Sequence, residues 1–197
     1  AQNTDIPQSD KQFDLYHVGT YSTGLFDEAG AESTAFDKTN GRVAFTNAMA
    51  NSVMIIDAND PQNMSLFKEI DMSVYGGGVN SVDFYNGLMA VAVEAADKTA
   101  NGSVVFFDSE GNHLNTVAAG ALPDMLTFTH NGNFVLTADE GEPNDDYTVD
   151  PVGSVTIIDL TAGVENATAR TAGFEGFNEG IDNLRAAGVR IFGPNAT

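Results

Sequence analysis

The pentapeptide VMIID occupies Val53–Asp57 of the chain, VVFFD occupies 104–108 and VTIID occupies 155–159. Each run is short, apolar and rich in β-branched or aromatic residues, which is typical of a buried β-strand. The aspartates that close the three runs are 51 residues apart in both intervals. A constant interval of this size indicates one structural unit that is repeated along the chain.

Each repeat contains three further strand patterns. Before the pentapeptide come a segment that ends in phenylalanine (Phe36, Phe84 and Phe128), a glycine-containing turn and a second apolar run. After it comes a more polar segment, which begins at Ser65, Asn112 and Ala167 in the three repeats. Four short antiparallel strands in about 45–51 residues are the pattern of a β-propeller blade. A β-sandwich, the alternative all-β architecture, has no reason to repeat at a constant interval.

The predicted fold class is all-β: a β-propeller with about three four-stranded blades of an incomplete ring, an N-terminal closing strand and a short C-terminal helix. We place an N-terminal arm over 1–12 and the partial propeller over 13–197, with blades at about 31–73, 79–119 and 123–175 and a helix-containing connector over 178–197. The closing strand is predicted at Phe13–Tyr21, and the helix at Ile181–Gly188, where a glycine ends it.

Three blades cannot close a ring, because propellers have at least four. The sequence therefore leads to the hypothesis that this chain is the N-terminal portion of a longer propeller. The expected partner of its open blade edges is either the C-terminal part of the same protein or a second copy of the chain.

The charge of the chain excludes some partners. It carries 28 acidic and 8 basic residues, a formal net charge of −20, which repels nucleic-acid phosphates and anionic membranes. The absence of cysteine excludes disulfides, thiolate metal sites and a cysteine nucleophile. No apolar run is long enough to span a membrane. The negative charge also has an explanation that requires no bound partner: a salt-rich or extracellular habitat selects an acidic surface.

One face of the predicted propeller collects oxygen-bearing side chains. The loops between second and third strands and the connectors between blades emerge on the same face, and the longest of them is Glu140–Val152. Hard cations such as Ca²⁺ bind carboxylate, amide and carbonyl oxygens. The candidate metal ligands are Glu94, Asp124, Asp139, Glu140, Asp145 and Asp146. The alternatives, that these acids end strands and bond turn backbones or that the loop is merely solvated, remain open.

Three longer stretches resemble a known family. The stretches VAVEAADKTANGSVVFFD (91–108), the segment 121–160 with EGEPNDDYTVDP at its centre, and LRAAGVRIFGP (184–194) are similar to the choice-of-anchor I proteins. The resemblance runs from about Tyr21 to Pro194 and is most specific in EGEPNDDYTVDP. These are secreted or surface bacterial propellers, often labelled alkaline phosphatase-like and similar to the esterase-like phytase group and to an animal cell-surface glycoprotein family.

The resemblance implies a secreted or cell-surface protein with a Ca²⁺-dependent phosphoesterase activity, in which a cation would bind phosphate oxygens and activate water. Whether this chain is an enzyme stays open at this point, and no catalytic residue is assigned. The alternative is a non-catalytic surface, adhesion or scaffold propeller whose calcium is structural. The acidic loop itself contains no Lys or Arg that could hold a phosphate group, which is an objection to this activity; Lys98 is the nearest basic residue in the neighbouring loop.

Overall fold

The computed structural model describes residues 14–26 and 28–191, and its core consists of three antiparallel sheets of four strands each. Each sheet uses four strands that are consecutive in sequence, as the repeat predicts. Blade 1 comprises β1 (Thr34–Asp37), β2 (Arg42–Asn47), β3 (Ser52–Asp57) and β4 (Ser65–Asp71). Blade 2 comprises β5 (Gly78–Tyr85), β6 (Leu88–Glu94), β7 (Asn101–Phe107) and β8 (His113–Ala121). Blade 3 comprises β9 (Pro123–Phe128), β10 (Phe134–Asp139), β11 (Ser154–Asp159) and β12 (Thr168–Gly173).

The strand register repeats as the sequence does. The central residue of each third strand lies opposite the same position of the fourth strand: Ile55 faces Lys68, Phe106 faces Asn115 and Ile157 faces Arg170. The aspartates that end the pentapeptides close the turn that follows, because a carboxylate oxygen of each accepts a hydrogen bond from the backbone N–H two residues on, at 2.8–3.0 Å. These three aspartates are therefore turn residues, which explains their regular recurrence.

Successive sheets pack face to face with their first strands adjacent, β1 against β5 and β5 against β9. Two apolar cores fill the spaces between them. Ile55 of blade 1 shares a core with Val91 and Phe107 of blade 2, and Phe106 on the opposite face of blade 2 shares another with Ile158 of blade 3. Alternate side chains of one strand thus enter different cores, as the period-two alternation of a strand requires. This arrangement confirms the predicted all-β propeller architecture.

The sequence predicts a helix near the C-terminal end and a strand near the N-terminal end, and the structure contains the helix. The helix α1 (Ile181–Ala186) is present, and Gly188 follows it at φ 88°. Residues 14–21 of the predicted closing strand have irregular backbone, and the strands with which that strand would pair are not among the described residues, so the closing strand stays a prediction; Phe13 and the arm over 1–12 lie outside the described residues. This segment pairs with none of the three sheets; it contributes Tyr21, whose ring lies 6.3 Å from that of Phe45.

Within the described ranges, no helix is both long and apolar enough to cross a membrane.

Candidate functional site

The loops that join second to third strands and the connectors between blades lie at one end of the three sheets, which we call the loop face. Strand direction alternates within a blade, so these segments emerge together. The segment after β10 is the longest, since β10 ends at Asp139 and β11 begins at Ser154. All six predicted metal ligands lie on or beside this face.

A β-bulge recurs at the beginning of the first strand. In blade 2, Val79 lies opposite Val93 and Ser81 opposite Ala92, which leaves Asn80 as the extra residue. In blade 3, Pro123 lies opposite Asp139 and Met125 opposite Ala138, which leaves Asp124. Bulges redirect side chains next to functional sites more often than elsewhere. The same backbone irregularity thus places Asn80 and Asp124 at equivalent positions of the two blades.

Blade 1 has the same local pattern at Glu32. Its N–H donates to the carbonyl of Thr46 at 3.2 Å, while the N–H of Thr46 donates to the carbonyl of Ser33 at 2.9 Å. Two residues therefore oppose one, as in the other two blades. Glu32, Asn80 and Asp124 occupy equivalent places at the inner edge of the loop face.

Asp124 and Glu140 are the predicted ligands that influence each other most directly. Partial burial raises the pKa of Glu140 above the ordinary glutamate value, and the negative charges of Asp124 and Glu142 raise it further. All three causes disfavour the charged carboxylate. A cation placed between these groups would reverse the effect, because it would favour the ionised form of each.

The raised pKa of Glu140 gives a pH-dependent prediction. Its native pKa lies above the ordinary value of 4.5, so its stabilising contribution is present below that pH and is lost as the pH rises through the native pKa. Glu140→Gln should therefore raise the melting temperature by about 1–2 °C at about pH 7, a small effect because solvent screens the group. At about pH 4 the difference should vanish.

The control for this measurement is Glu165→Gln, which removes an exposed carboxylate from blade 3. A Glu140→Gln protein that melts below the wild type at about pH 7 would contradict the repulsion. Circular dichroism melts across the pH range provide the data.

Asp139 is buried, only 3% exposed, and its carboxylate accepts hydrogen bonds from three hydroxyl groups. Thr137 donates to Oδ1 at 2.6 Å, and Ser154 and Thr156 donate to Oδ2 at 2.8 and 2.7 Å. The hydroxyl oxygen of Thr156 also accepts the N–H of Gly120 in blade 2 at 3.0 Å. Both oxygens of the carboxylate are thus used to join β10, β11 and, through Thr156, β8.

This network was missed in the sequence, although a signal for it exists. Thr137 and Asp139 lie two residues apart on one strand, and so do Ser154 and Thr156 on the next. Residues two apart point to the same side of a sheet. Four polar side chains in such positions indicate a buried polar network between the two strands.

The loop from Glu140 to Gly153 is organised by the side chain of Asn144. Its amide nitrogen donates to the hydroxyl of Thr148 at 2.8 Å, and its amide oxygen accepts the N–H groups of Thr148 and Val149 at 2.8 and 3.1 Å. The backbone of Asn144 bonds to that of Val149 and of Tyr147 as well. The turn around Asp145 and Asp146 is therefore held by protein groups.

Lys98 of blade 2 reaches this loop. Its ammonium group lies 3.4 Å from Asp145 Oδ1 and 3.9 Å from Glu142 Oε2. Asp145 is almost fully exposed, at 97%, so this pair contributes little to stability. It does place an ammonium group beside the acidic loop, which has no basic residue of its own.

Glu94 ends β6 and lies beside Gly76, Gly77 and Gly78. The N–H of Gly77 donates to the carbonyl of Glu94 at 2.8 Å, and a Cβ at Gly78 would lie 2.8 Å from Glu94 Oε1. The triple glycine reads in the sequence as a flexible connector, yet a Cβ at any of its three positions would overlap the β6–β7 segment. Gly76 and Gly77 are required for close contact with the backbone of that segment, whereas at Gly78 the added atom would meet only the side chain of Glu94.

In the structure the charge of Asp124 thus acts on Glu140, Asp145 lies against Lys98, and Asp139 belongs to a separate buried network. In the described part of the chain, no group of three histidine, cysteine, aspartate or glutamate side chains is arranged to hold a metal ion. A cation bound at this face would need water and backbone oxygens to complete the coordination that Ca²⁺ requires.

Comparisons with solved structures show the fold. A luciferin-regenerating enzyme is 16% identical, with a TM-score of 0.52 over 75% of this chain and 48% of its own, and a europium-containing methanol dehydrogenase is 13% identical, with a TM-score of 0.50 over 72% and 32%. A calcium-binding protein, regucalcin, from Agrobacterium tumefaciens is 19% identical, with a TM-score of 0.47 over 61% and 41%. These are propeller-like proteins, and the chain spans at most about half of their length.

A search of curated proteins finds no match. The sequence model of the choice-of-anchor I domain family matches residues 32–197, a range that includes all twelve strands described above. The chain therefore belongs to the choice-of-anchor I domain family.

Proposed function

We propose that this chain is part of a cell-surface or secreted β-propeller that binds a divalent cation, of which Ca²⁺ is the first candidate, on its loop face. Membership of a choice-of-anchor family supports the extracytoplasmic location. The observation that carries the cation proposal is the placement of Asp124 and Glu140, whose like charges raise the pKa of Glu140. Two carboxylates held together in this way gain stability when a cation neutralises them.

The proposed ligand set is smaller than the set predicted from the sequence. Asp124 and Glu140 supply carboxylate oxygens, and Glu94 lies on the same face at the end of the equivalent strand in blade 2. Asp139 would have to give up hydroxyl donors at 2.6–2.8 Å to bind a metal. Asp145 and Asp146 lie on an exposed turn, where they contribute mainly a negative potential that attracts cations.

The test is thermal unfolding of the wild type with calcium, with magnesium and with a chelator. If the site has the dissociation constant of extracellular modules, about 0.1–1 mM, then about 10 mM Ca²⁺ should stabilise the protein by about 1.4–2.7 kcal/mol. Asp124→Asn and Glu140→Gln should each remove most of this gain, because each deletes one charged ligand.

Asp146→Asn is the matched control, since it makes the same chemical change on the exposed part of the loop. It should keep the calcium effect almost unchanged. Melting temperatures that are the same in calcium and in chelator would contradict the proposal, and an equal loss in all three variants would assign the effect to general charge screening.

A second candidate function is phosphate-ester hydrolysis with the bound cation as Lewis acid. The observation that favours it is Lys98, whose ammonium group lies beside the acidic loop and within 3.4 Å of Asp145. An ammonium group and a divalent cation on the same face provide two positively charged groups for one phosphate group. The alternative is a non-catalytic surface or adhesion propeller with a structural cation.

Hydrolysis of p-nitrophenyl phosphate, measured with and without calcium, distinguishes the hydrolase from the non-catalytic propeller. Activity that requires the cation and falls about 10²-fold in Lys98→Ala would support the hydrolase. Calcium binding without turnover under any metal would leave the non-catalytic propeller.

A further inference from the structure

Blades 1 and 2 each hold the following blade with a side chain from the middle of the fourth strand. The ammonium group of Lys68 donates to the carbonyl oxygens of Glu110 and Gly111 in blade 2, at 3.1 and 2.8 Å. The amide nitrogen of Asn115 donates to the carbonyl oxygen of Val164 in blade 3 at 2.7 Å. All three acceptors lie in the turn between the third and fourth strands of the next blade. The contact is therefore a repeated feature of the blade interface.

Arg170 occupies the same register position in blade 3. It lies opposite Ile157, as Lys68 lies opposite Ile55 and Asn115 opposite Phe106. Lys68 and Asn115 are partly buried by the next blade, whereas Arg170 is exposed and its charge acts on Asp159 of its own sheet. A hydrogen-bond donor thus stands at the interface position of the last described blade, on a face that no described blade covers.

The apolar residues of this face also repeat from blade to blade. In blade 2, Ala90, Val104 and Phe106 are fully buried against blade 3. The register places Leu136, Val155 and Ile157 at the equivalent positions of blade 3, where each is only partly buried. Blade 3 thus repeats the surface that blade 2 buries, with the larger Leu136 in place of Ala90. No described blade covers this surface of blade 3.

The innermost position of the face is also exposed. Ser81 accepts the N–H of Leu126 from blade 3 at 3.2 Å, and Met125 holds the equivalent position of the next repeat with 52% of its surface exposed. An apolar side chain replaces the hydroxyl there. The open face therefore has an apolar centre, a methionine at its inner end and an arginine at its outer end.

We infer that this face of blade 3 is the interface for a further four-stranded blade, and that Arg170 donates to the carbonyl oxygens in the turn between the third and fourth strands of that blade. Continuity with two interfaces of the same construction carries the inference. A second copy of the chain is a weaker occupant, because its blade 1 would have to dock with the face on which Tyr21 lies against Phe45. The inference does not depend on cation binding.

The experiment uses single cysteines, which the absence of native cysteine makes unambiguous. Arg170→Cys and, as control, Ala162→Cys on an exposed turn of the same blade are made in two proteins: the 197-residue chain and the polypeptide of the complete reading frame. The thiol at position 170 should react with maleimide roughly tenfold or more slowly in the second protein than in the first. The thiol at position 162 should react at the same rate in both.

Equal rates at position 170 in the two proteins would overturn the inference. Protection that appears in the shorter chain alone, rises with concentration and accompanies a doubled mass in light scattering would also overturn it, since a second copy would then occupy the face.

A second measurement keeps the test valid if cysteine at position 170 itself weakens the interface. Lys68→Met should lower the melting temperature of the shorter chain by about 2–4 °C, because its acceptors are present there. Arg170→Met should leave the shorter chain unchanged and lower the melting temperature of the longer polypeptide by a similar amount. No effect of Arg170→Met in the longer polypeptide would contradict the donor role.

Discussion

Asp139→Ala is expected to lower the free energy of unfolding by about 3–5 kcal/mol, because it removes the common acceptor of three buried hydroxyl groups. A loss of this size is a large part of the stability of an ordinary domain, about 5–15 kcal/mol. The measurement is the urea midpoint and slope with a chelator present, so that no bound cation contributes. Asp139→Asn should cost less, about 1–2 kcal/mol, since the amide keeps one acceptor oxygen in place.

The control is Asp146→Ala, which removes an exposed aspartate of the same segment and should change the stability by less than about 0.5 kcal/mol. Similar losses in the two variants would mean that the hydroxyl groups find other acceptors. A loss for Asp139→Ala that appears only in calcium would reassign Asp139 as a metal ligand, as the sequence had predicted.

Gly76→Ala is expected to destabilise the protein by about 2–3 kcal/mol. A Cβ at this position would overlap the backbone carbonyl oxygen of Glu94 and would lie 2.6 Å from a methyl carbon of Val93, which is fully buried. The backbone atom cannot move without displacing the end of β6. Thermal or urea unfolding measures the loss.

Gly176→Ala is the matched control, because no heavy atom lies within 4 Å of the added Cβ there. It should change the free energy of unfolding by less than about 0.5 kcal/mol. A flexible connector between blades 1 and 2 would instead tolerate Gly76→Ala as well as Gly176→Ala. Equal effects of the two substitutions would therefore restore that interpretation.

The strands were predictable because the repeat supplied three aligned examples of each. Val53, Val104 and Val155 have the same place in β3, β7 and β11, so an ambiguous apolar run in one blade is resolved by the other two. The segment before blade 1 has no such counterpart. A strand needs a partner edge, and no described sheet pairs with residues 14–21.

The sequence predicted the face on which the candidate site lies, but not the role of each residue there. The offset of the repeat brings the β6–β7 and β10–β11 loops to one face, where the charge of Asp124 acts on Glu140. The sequence could not distinguish the roles of Asp139 and Glu140. Neighbours in a strand point to opposite sides, and the register of the strand was uncertain by one residue. One residue forms a buried network, and the next lies exposed on the loop face.

The close packing at the triple glycine was also beyond the sequence. Glycine is used both where the backbone must be free and where another segment comes too close for a side chain. Gly76 and Gly77 belong to the second group because the backbone of the β6–β7 segment lies against them, and only the three-dimensional arrangement of blades 1 and 2 makes this visible.

The hydrogen bonds of Asn144 affect how any ligand would bind the β10–β11 loop. Since that side chain already fixes the backbone from Asn144 to Val149, a ligand would meet a preorganised surface and would lose little conformational entropy in the protein on binding. Association should then be close to a rigid-body encounter, with a rate that depends on charge and ionic strength rather than on a folding step. A loop with this many carboxylates would therefore distinguish ligands mainly by their charge.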